Sequence, residues 1–242
     1  MSRLPNATQF PEKGNEMLHL IAMPRNCLRF IHIKEEFYKI AAFPNVIGTV
    51  DCTHIRIQRP SGAHEGDYVN RKSFHSVNVQ MICDADCLIT NLEAKWPGSV
   101  HDSRIFRASR IYQRLSLGEF SGVLLGDKGY ACETFLMTPL TDPQTPAQQA
   151  YNHAHAKTRA RIEMTFGLLK SRFQCLHHLR VSPDRACDIP EPLHRDMEFP
   201  EVWVGANGAP SLRCLRGMVQ EGAVERSISS GELGPVGPLR RN

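Results

Sequence analysis

The run NVIGTVDCTHIRIQ, residues 45–58, is dense in β-branched side chains and predicts a strand buried on at least one face. Two more strands are expected at 75–83 (HSVNVQMIC) and 87–94 (CLITNLEA), joined by a hairpin turn at Asp84-Ala85-Asp86. Trp96-Pro97-Gly98-Ser99 closes this β-rich block. Residues 100–117 read as a helix, and a short apolar strand at 122–126 runs into Asp127. After a Pro/Thr/Gln loop at 139–146, a long helix is expected at 147–173, with Ile162, Phe166, Leu169 and Phe173 on one inward face. Three strands, a helix, a fourth strand and a later long helix specify an α/β fold with helices packed on a sheet.

The flanks read differently. Residues 1–16 are a polar lead, and Leu18, Ile21, Leu28, Ile31, Phe37 and Ile40 recur at roughly helical intervals, interrupted at Pro24 and ended at Pro44. Beyond Ile189 prolines and glycines are frequent and no period is sustained, so 190–242 is expected to be an irregular, disordered tail. The organisation expected is a lead and helical region at 1–42, a core at 43–189 and the tail. A chain of 242 residues allows one such domain with attachments, or at most two small domains.

With 41% hydrophobic and 22% charged residues, the composition is that of a globular protein, not a disordered one. A net charge of +4 leans weakly toward an acidic partner such as nucleic acid. No stretch reads as an export signal or a membrane span, so a reducing compartment is expected, with the eight cysteines as free thiols. Asn6-Ala7-Thr8 is then a chance match to a glycosylation acceptor. Cys83 and Cys87 could begin a zinc site, but two further ligands at a suitable spacing are missing, which favours buried cysteines.

The carboxylates carry the chemistry. Asp51 stands inside the most apolar strand, where a charge costs several kcal/mol unless a positive group pairs with it; the alternative is an edge strand that turns it to solvent. Asp127 ends a strand, the place where open α/β sheets gather their sites, though an ordinary turn aspartate reads the same way. Glu163 borders the buried stripe of the long helix, with pairing to Arg159 one turn earlier as the alternative. Carboxylates that converge can hold Mg²⁺ or Mn²⁺ for hydrolysis of a phosphodiester.

Six stretches place these residues in a pattern: PNVIGTVDCTHIRI, YVNRKSFHSVNVQMICDADC, WPGSVHDSRIF, LLGDKGY, LMTPL and YNHAHAKTRARIEMTFGLLKSRFQCL. In order and spacing they resemble the PIF/Harbinger transposases and their Harbinger transposase-derived nucleases, across residues 43–180. The resemblance implies an RNase H-like (DDE transposase/integrase) core whose mixed sheet is flanked by helices, with the N-terminal helical region a remnant of a longer one. It implies that Asp51, Asp127 and Glu163 are catalytic metal ligands and that the metal is Mg²⁺ or Mn²⁺. Thirty-five residues separate Asp127 from Glu163, the interval of the D35E arrangement. Asp102 is implied as a fourth metal ligand, with a helix N-cap as the local alternative. His54, His75 and His101 accompany these motifs and fit positioning roles, or plain core and surface ones, better than metal ligation.

The resemblance implies a metal-dependent DNA endonuclease of the domesticated-transposase type, acting by two-metal catalysis. Arg56, Arg59, Arg71 and Lys72 beside the first acidic strand, and Lys157, Arg159, Arg161, Lys170 and Arg172 on the long helix, are the candidate phosphate contacts; solvated surface is the alternative for each. Relatives carry a longer N-terminal region and work beside a Myb/SANT-like protein that supplies DNA binding or nuclear entry, so nucleus and cytoplasm are the expected compartments. Two alternatives remain: a catalytically inactive interaction protein that keeps the fold and works with such a partner, and a truncated product without function.

Overall fold

The computed structural model describes residues 27–190. The polar lead, the first part of the N-terminal helical pattern and the tail beyond 190 lie outside the described residues. Helix α1 (Cys27–Ala41) ends before Pro44, whose ring cannot continue a helix. Strand β1 (Val46–Ile57) follows.

Burial decides where β1 sits. It is interior to the sheet, pairing antiparallel with β2 (Ser76–Cys83) on one side and parallel with β4 (Val123–Leu125) on the other. Asp51 is therefore not on an edge strand; Val46, Ile47, Val50 and Ile55 are fully buried, and only an interior strand hides them on both faces. β2 pairs antiparallel with β3 (Ile89–Pro97), and β4 pairs parallel with β5 (Leu136–Met137). The order is β3-β2-β1-β4-β5, and β6 (His178–Leu179) pairs parallel with the far end of β1. The result is the expected α/β mixed sheet flanked by helices.

Local chemistry sets the connections. In the β2–β3 turn, Asp84 Oδ1 accepts hydrogen bonds from the N–H groups of Asp86 (3.0 Å) and Leu88 (2.9 Å), and Cys87 takes a positive φ of 66°. Strand β3 extends further than expected: Trp96 and Pro97 belong to it, and a proline is tolerated there because β3 is an edge strand. Gly98 then passes where no side chain fits, since a Cβ would lie 2.3 Å from Ser76 Oγ and 2.7 Å from the carbonyl oxygens of Ser76 and Tyr68.

The single helix expected at 100–117 is two, α2 (Asp102–Ala108) and α3 (Arg110–Ser116). Ser109 divides them: its backbone is extended at φ −77°, ψ 151°, and its Oγ accepts from Tyr112 N–H at 3.2 Å while donating to Phe106 O at 2.5 Å. The long helix α4 (Pro146–Arg172) starts with a capping box in which Thr145 and Gln148 satisfy each other's backbone N–H groups, and with a proline in its first turn.

The inward face of α4 differs from the expected stripe. Ile162 and Leu169 are buried as expected, but Phe166 and Phe173 are only partly so. His155, Thr158 and Thr165 are buried with them because each has a hydrogen-bond partner, the threonines within α4 and His155 on β5. Thr158 Oγ1 donates to Ala154 O at 2.8 Å, Thr165 Oγ1 to Arg161 O at 2.9 Å, and His155 Nε2 lies 3.1 Å from Met137 O. A short helix, α5 (Pro183–Asp188), is also formed where no element was expected.

Two apolar clusters sandwich the sheet. Consecutive residues Leu124 and Leu125 point to opposite faces, Leu124 into a cluster with Val50, Ile82, Phe106, Ile111 and Tyr130, and Leu125 into one with Phe37, Phe43 and Val46. Helices α2 and α3 cover the first face, α1 and α4 the second. Among the described residues no helix is long and apolar enough to cross a membrane.

Candidate active site

The pleat of β1 turns Val50 into the α2–α3 cluster and therefore turns Asp51 toward α4. There Asp51 Oδ2 accepts a hydrogen bond from Arg159 Nη1 at 2.9 Å, and its Oδ1 accepts from Cys52 N–H at 2.8 Å. Arg159 Nη2 in turn donates to Glu163 Oε1, one helical turn further along α4. One guanidinium thus bridges a strand carboxylate and a helix carboxylate that are 112 positions apart in the chain. Glu163 lies on the Asp51 side of the sheet and is the more exposed of the two, at 59% against 18%.

The two other acidic residues arrive from different elements. Asp127 follows β4, and its Oδ1 accepts from Gly129 N–H at 2.8 Å, which folds the LLGDKGY loop back on itself. Asp102 is the first residue of α2, but the position before it is His101, which makes no side-chain capping bond. Asp102 is therefore not an N-cap; it accepts instead from Asn78 Nδ2 of β2 at 2.8 Å. Asn78 also donates to Val100 O at 3.1 Å, so one buried amide ties the approach to α2 to the sheet. That residue was not singled out from the sequence, where a strand asparagine in SVNVQ carries no signal of its inward orientation.

The charges of the two other aspartates reach Asp51. The Asp51 carboxyl is pushed up to about 6, first by burial and further by the charges of Asp127 and Asp102; Cys52 N–H and Arg159 oppose this. The folded protein therefore holds the Asp51 proton more tightly than the unfolded chain, whose value is 3.8. Stability from this group is fully present below that value and is lost as pH rises through about 6. Denaturation between pH 4 and pH 7 is expected to show a smaller loss of stability in Asp51→Asn than in the unsubstituted protein; equal losses would show that Asp51 is not the titrating group.

The basic residues divide into two groups. Arg56, Arg71, Lys72 and Lys157 are exposed, with the Arg56 guanidinium 5.5 Å from the centre of the Phe74 ring and Arg71 Nη2 2.6 Å from His101 Nδ1. Arg59 pairs with Glu65 at 2.8 Å. Arg159 and Lys170 face inward: Lys170 Nζ donates to Thr53 Oγ1 at 2.7 Å and to His54 O at 3.1 Å, pinning α4 to β1, and burial then lowers its pKa. Arg161 Nη1 lies 3.8 Å from Met164 Sδ, and the Arg172 guanidinium 5.6 Å from the centre of the Phe173 ring. His54 Nδ1 is 3.1 Å from Ser76 Oγ, and His75 Nε2 is 3.0 Å from Glu65 Oε1, so both are engaged within the protein.

The donor set suits a hard divalent cation. It consists of carboxylate oxygens, one of them half-buried in the field of two others, an arrangement that a positive ion relieves. Among the described residues no three His, Cys, Asp or Glu side chains stand close enough together to hold one ion, and the Arg159 guanidinium occupies the space between Asp51 and Glu163.

Comparison with known proteins identifies the family. Residues 50–192 match the family described as DDE superfamily endonuclease. A Bos taurus protein named "Putative nuclease HARBI1" is 39% identical over 196 residues, covering 78% of this chain and 55% of that protein. Its Homo sapiens namesake is 41% identical over 162 residues, covering 65% of this chain and 46% of that protein. An Arabidopsis thaliana protein named antagonist of like heterochromatin protein 1 is 25% identical over 172 residues, covering 65% of this chain and 43% of that protein. The chain spans about half the length of the HARBI1 relatives it matches. No solved structure matches it. With more than half of its residues inside the family match, and its acidic motifs displayed on a mixed sheet flanked by helices, the chain belongs to the DDE superfamily endonucleases.

Proposed function

We propose that this chain is the catalytic core of a divalent-metal-dependent DNA endonuclease, with Asp51, Asp127 and Glu163 as catalytic carboxylates and Asp102 as a fourth ligand. The observation that carries the reading is that Asp51 shares Arg159 with Glu163 and is acted on by the charges of Asp127 and Asp102, so that acidic residues from four separate elements influence one position on β1. Two Mg²⁺ or Mn²⁺ ions, when bound, supply activation of a water and stabilisation of the leaving 3′ oxygen.

The protein's own part is positional. β1 and the end of β4 hold Asp51 and Asp127 on rigid backbone, α2 presents Asp102, and α4 presents Glu163. Water oxygen forms its bond to phosphorus and gives up a proton as the bond to the 3′ oxygen breaks, and the departing oxygen takes up a proton in turn. Exposed Arg56, Arg71, Lys72 and Lys157 supply phosphate contacts whose loss weakens binding in a salt-dependent way. Arg161 lies on the same helix as Lys157 and completes this set. A Myb/SANT-like protein is the proposed partner for target choice, and nucleus and cytoplasm the proposed compartments, on the resemblance to Harbinger relatives.

Incubation with supercoiled plasmid tests the reading. Nicking is expected with Mg²⁺ or Mn²⁺, is expected to stop on chelation, and is expected to return when metal is restored. Cleavage that persists in excess chelator would overturn it, and so would a folded protein that binds metal yet leaves DNA intact, the behaviour of an inactive interaction protein.

A further inference from the structure

Arg159 takes up the place that the proposed metal ligands need. Its side chain is only 19% exposed, and both of its terminal nitrogens are spent on carboxylates, Asp51 at 2.9 Å and Glu163. Helical convenience does not explain this. The pair runs from arginine to glutamate along α4, the weaker order for a pair one turn apart, and the second contact reaches across to the sheet. The local charge gives the reason. Asp51, Asp102, Asp127 and Glu163 carry formal charges of one sign, and Arg159 is the cation that bridges two of them. A guanidinium stays charged at any physiological pH and its fork fits carboxylate or phosphate equally well.

We infer that Arg159 is a positioning residue that changes partners: it holds Asp51 and Glu163 in the metal-free protein, leaves them when the divalent cation binds, and then engages a phosphate of the DNA. The inference rests on the metal-dependent reading above. Release of Arg159 by the metal would make DNA engagement at this point conditional on a loaded site. Asp51 and Glu163 would also be kept apart from other basic groups until then.

Mn²⁺ binding by calorimetry without DNA is the first test, on the unsubstituted protein, Arg159→Gln and Asp127→Asn. Removing the competing cation is expected to tighten Mn²⁺ binding in Arg159→Gln by about tenfold. DNA affinity measured with Ca²⁺ in place of Mg²⁺ is the second. The gain in affinity that Ca²⁺ confers on the unsubstituted protein is expected to disappear in Arg159→Gln. Mn²⁺ binding that is unchanged or weaker in Arg159→Gln overturns the exchange, and an undiminished Ca²⁺-dependent gain overturns the handover. If Asp127→Asn binds Mn²⁺ as well as the unsubstituted protein, the metal site itself fails and the inference with it. Should Arg159→Gln not fold, the Arg159 Nε–H resonance of the unsubstituted protein decides: it is expected to shift on addition of Mg²⁺ and again on addition of a DNA duplex. A resonance unmoved by Mg²⁺ overturns the inference.

Discussion

Asp127→Asn is expected to lower DNA cleavage by about a thousandfold while leaving the fold intact. The substitution keeps the shape of the side chain, and asparagine Oδ1 can still accept the Gly129 N–H bond now made at 2.8 Å. Asp127 is half-exposed at the end of β4, so its burial contributes little to stability and a change within about 0.5 kcal/mol is expected. What is lost is a negative charge at the site. Metal-mediated charge stabilisation supplies several kcal/mol of the barrier reduction, and about 1.4 kcal/mol corresponds to tenfold in rate. Plasmid nicking compared at matched protein concentration, with denaturant midpoints measured alongside, checks both halves. Equal cleavage by the two proteins would remove Asp127 from the mechanism.

The second large effect is on stability and reaches the site through packing. Phe106→Ala is expected to cost about 3–5 kcal/mol, because the ring is 2% exposed and the space it leaves cannot easily collapse. Phe106 stands edge-on to Tyr112 at 5.4 Å and to Tyr130 at 5.8 Å between ring centres. Tyr130 closes the loop that carries Asp127, and its hydroxyl lies 3.5 Å from Cys52 Sγ, next to Asp51. A loss of this size is a large share of the roughly 5–15 kcal/mol that keeps a domain folded. Urea unfolding measures the cost, and a loss under about 1 kcal/mol would mean that this cluster is not the core of the α2–α3 face. Phe106→Leu, which keeps most of the apolar volume, is expected to recover much of the loss.

Much of the fold was legible in local pattern. The β-branched runs of β1 and β2, the apolar stretch before Asp127 and the Thr145–Gln148 start of α4 are signals carried within a few residues. Where reading along the chain failed, either a contact distant in sequence or the choice of one side chain between competing local bonds had decided the outcome. β3 continues through Pro97 because an edge strand has no partner for the missing N–H. The 100–117 segment breaks at Ser109 because that hydroxyl serves both flanking helices. The two-residue strands β5 and β6 are too short to show any period, and they exist only because β4 and β1 offer unpaired edges.

For the site, motif order brought out Asp51, Asp102, Asp127 and Glu163, and the strand context of Asp51 already required a positive partner. That partner could be weighed at Arg159 for Glu163, one helical turn away. Its second bond, to Asp51, spans 108 positions and depends on how α4 crosses β1. Asn78 and Lys170 show the same division. A strand amide and a helix lysine look like solvated groups until the sheet and α4 are packed together, when one holds Asp102 and the other ties Thr53 and His54 to the helix. The sequence by itself determined which residues carry charge and which segments become strands and helices, because those properties belong to short stretches of chain. Only the tertiary structure decided that β1 lies inside the sheet, that Asp51 feels Asp102 and Asp127, and that one arginine bridges Asp51 to Glu163. Those are consequences of which surfaces are buried together, and Coulomb interactions act across space without regard to position in the chain.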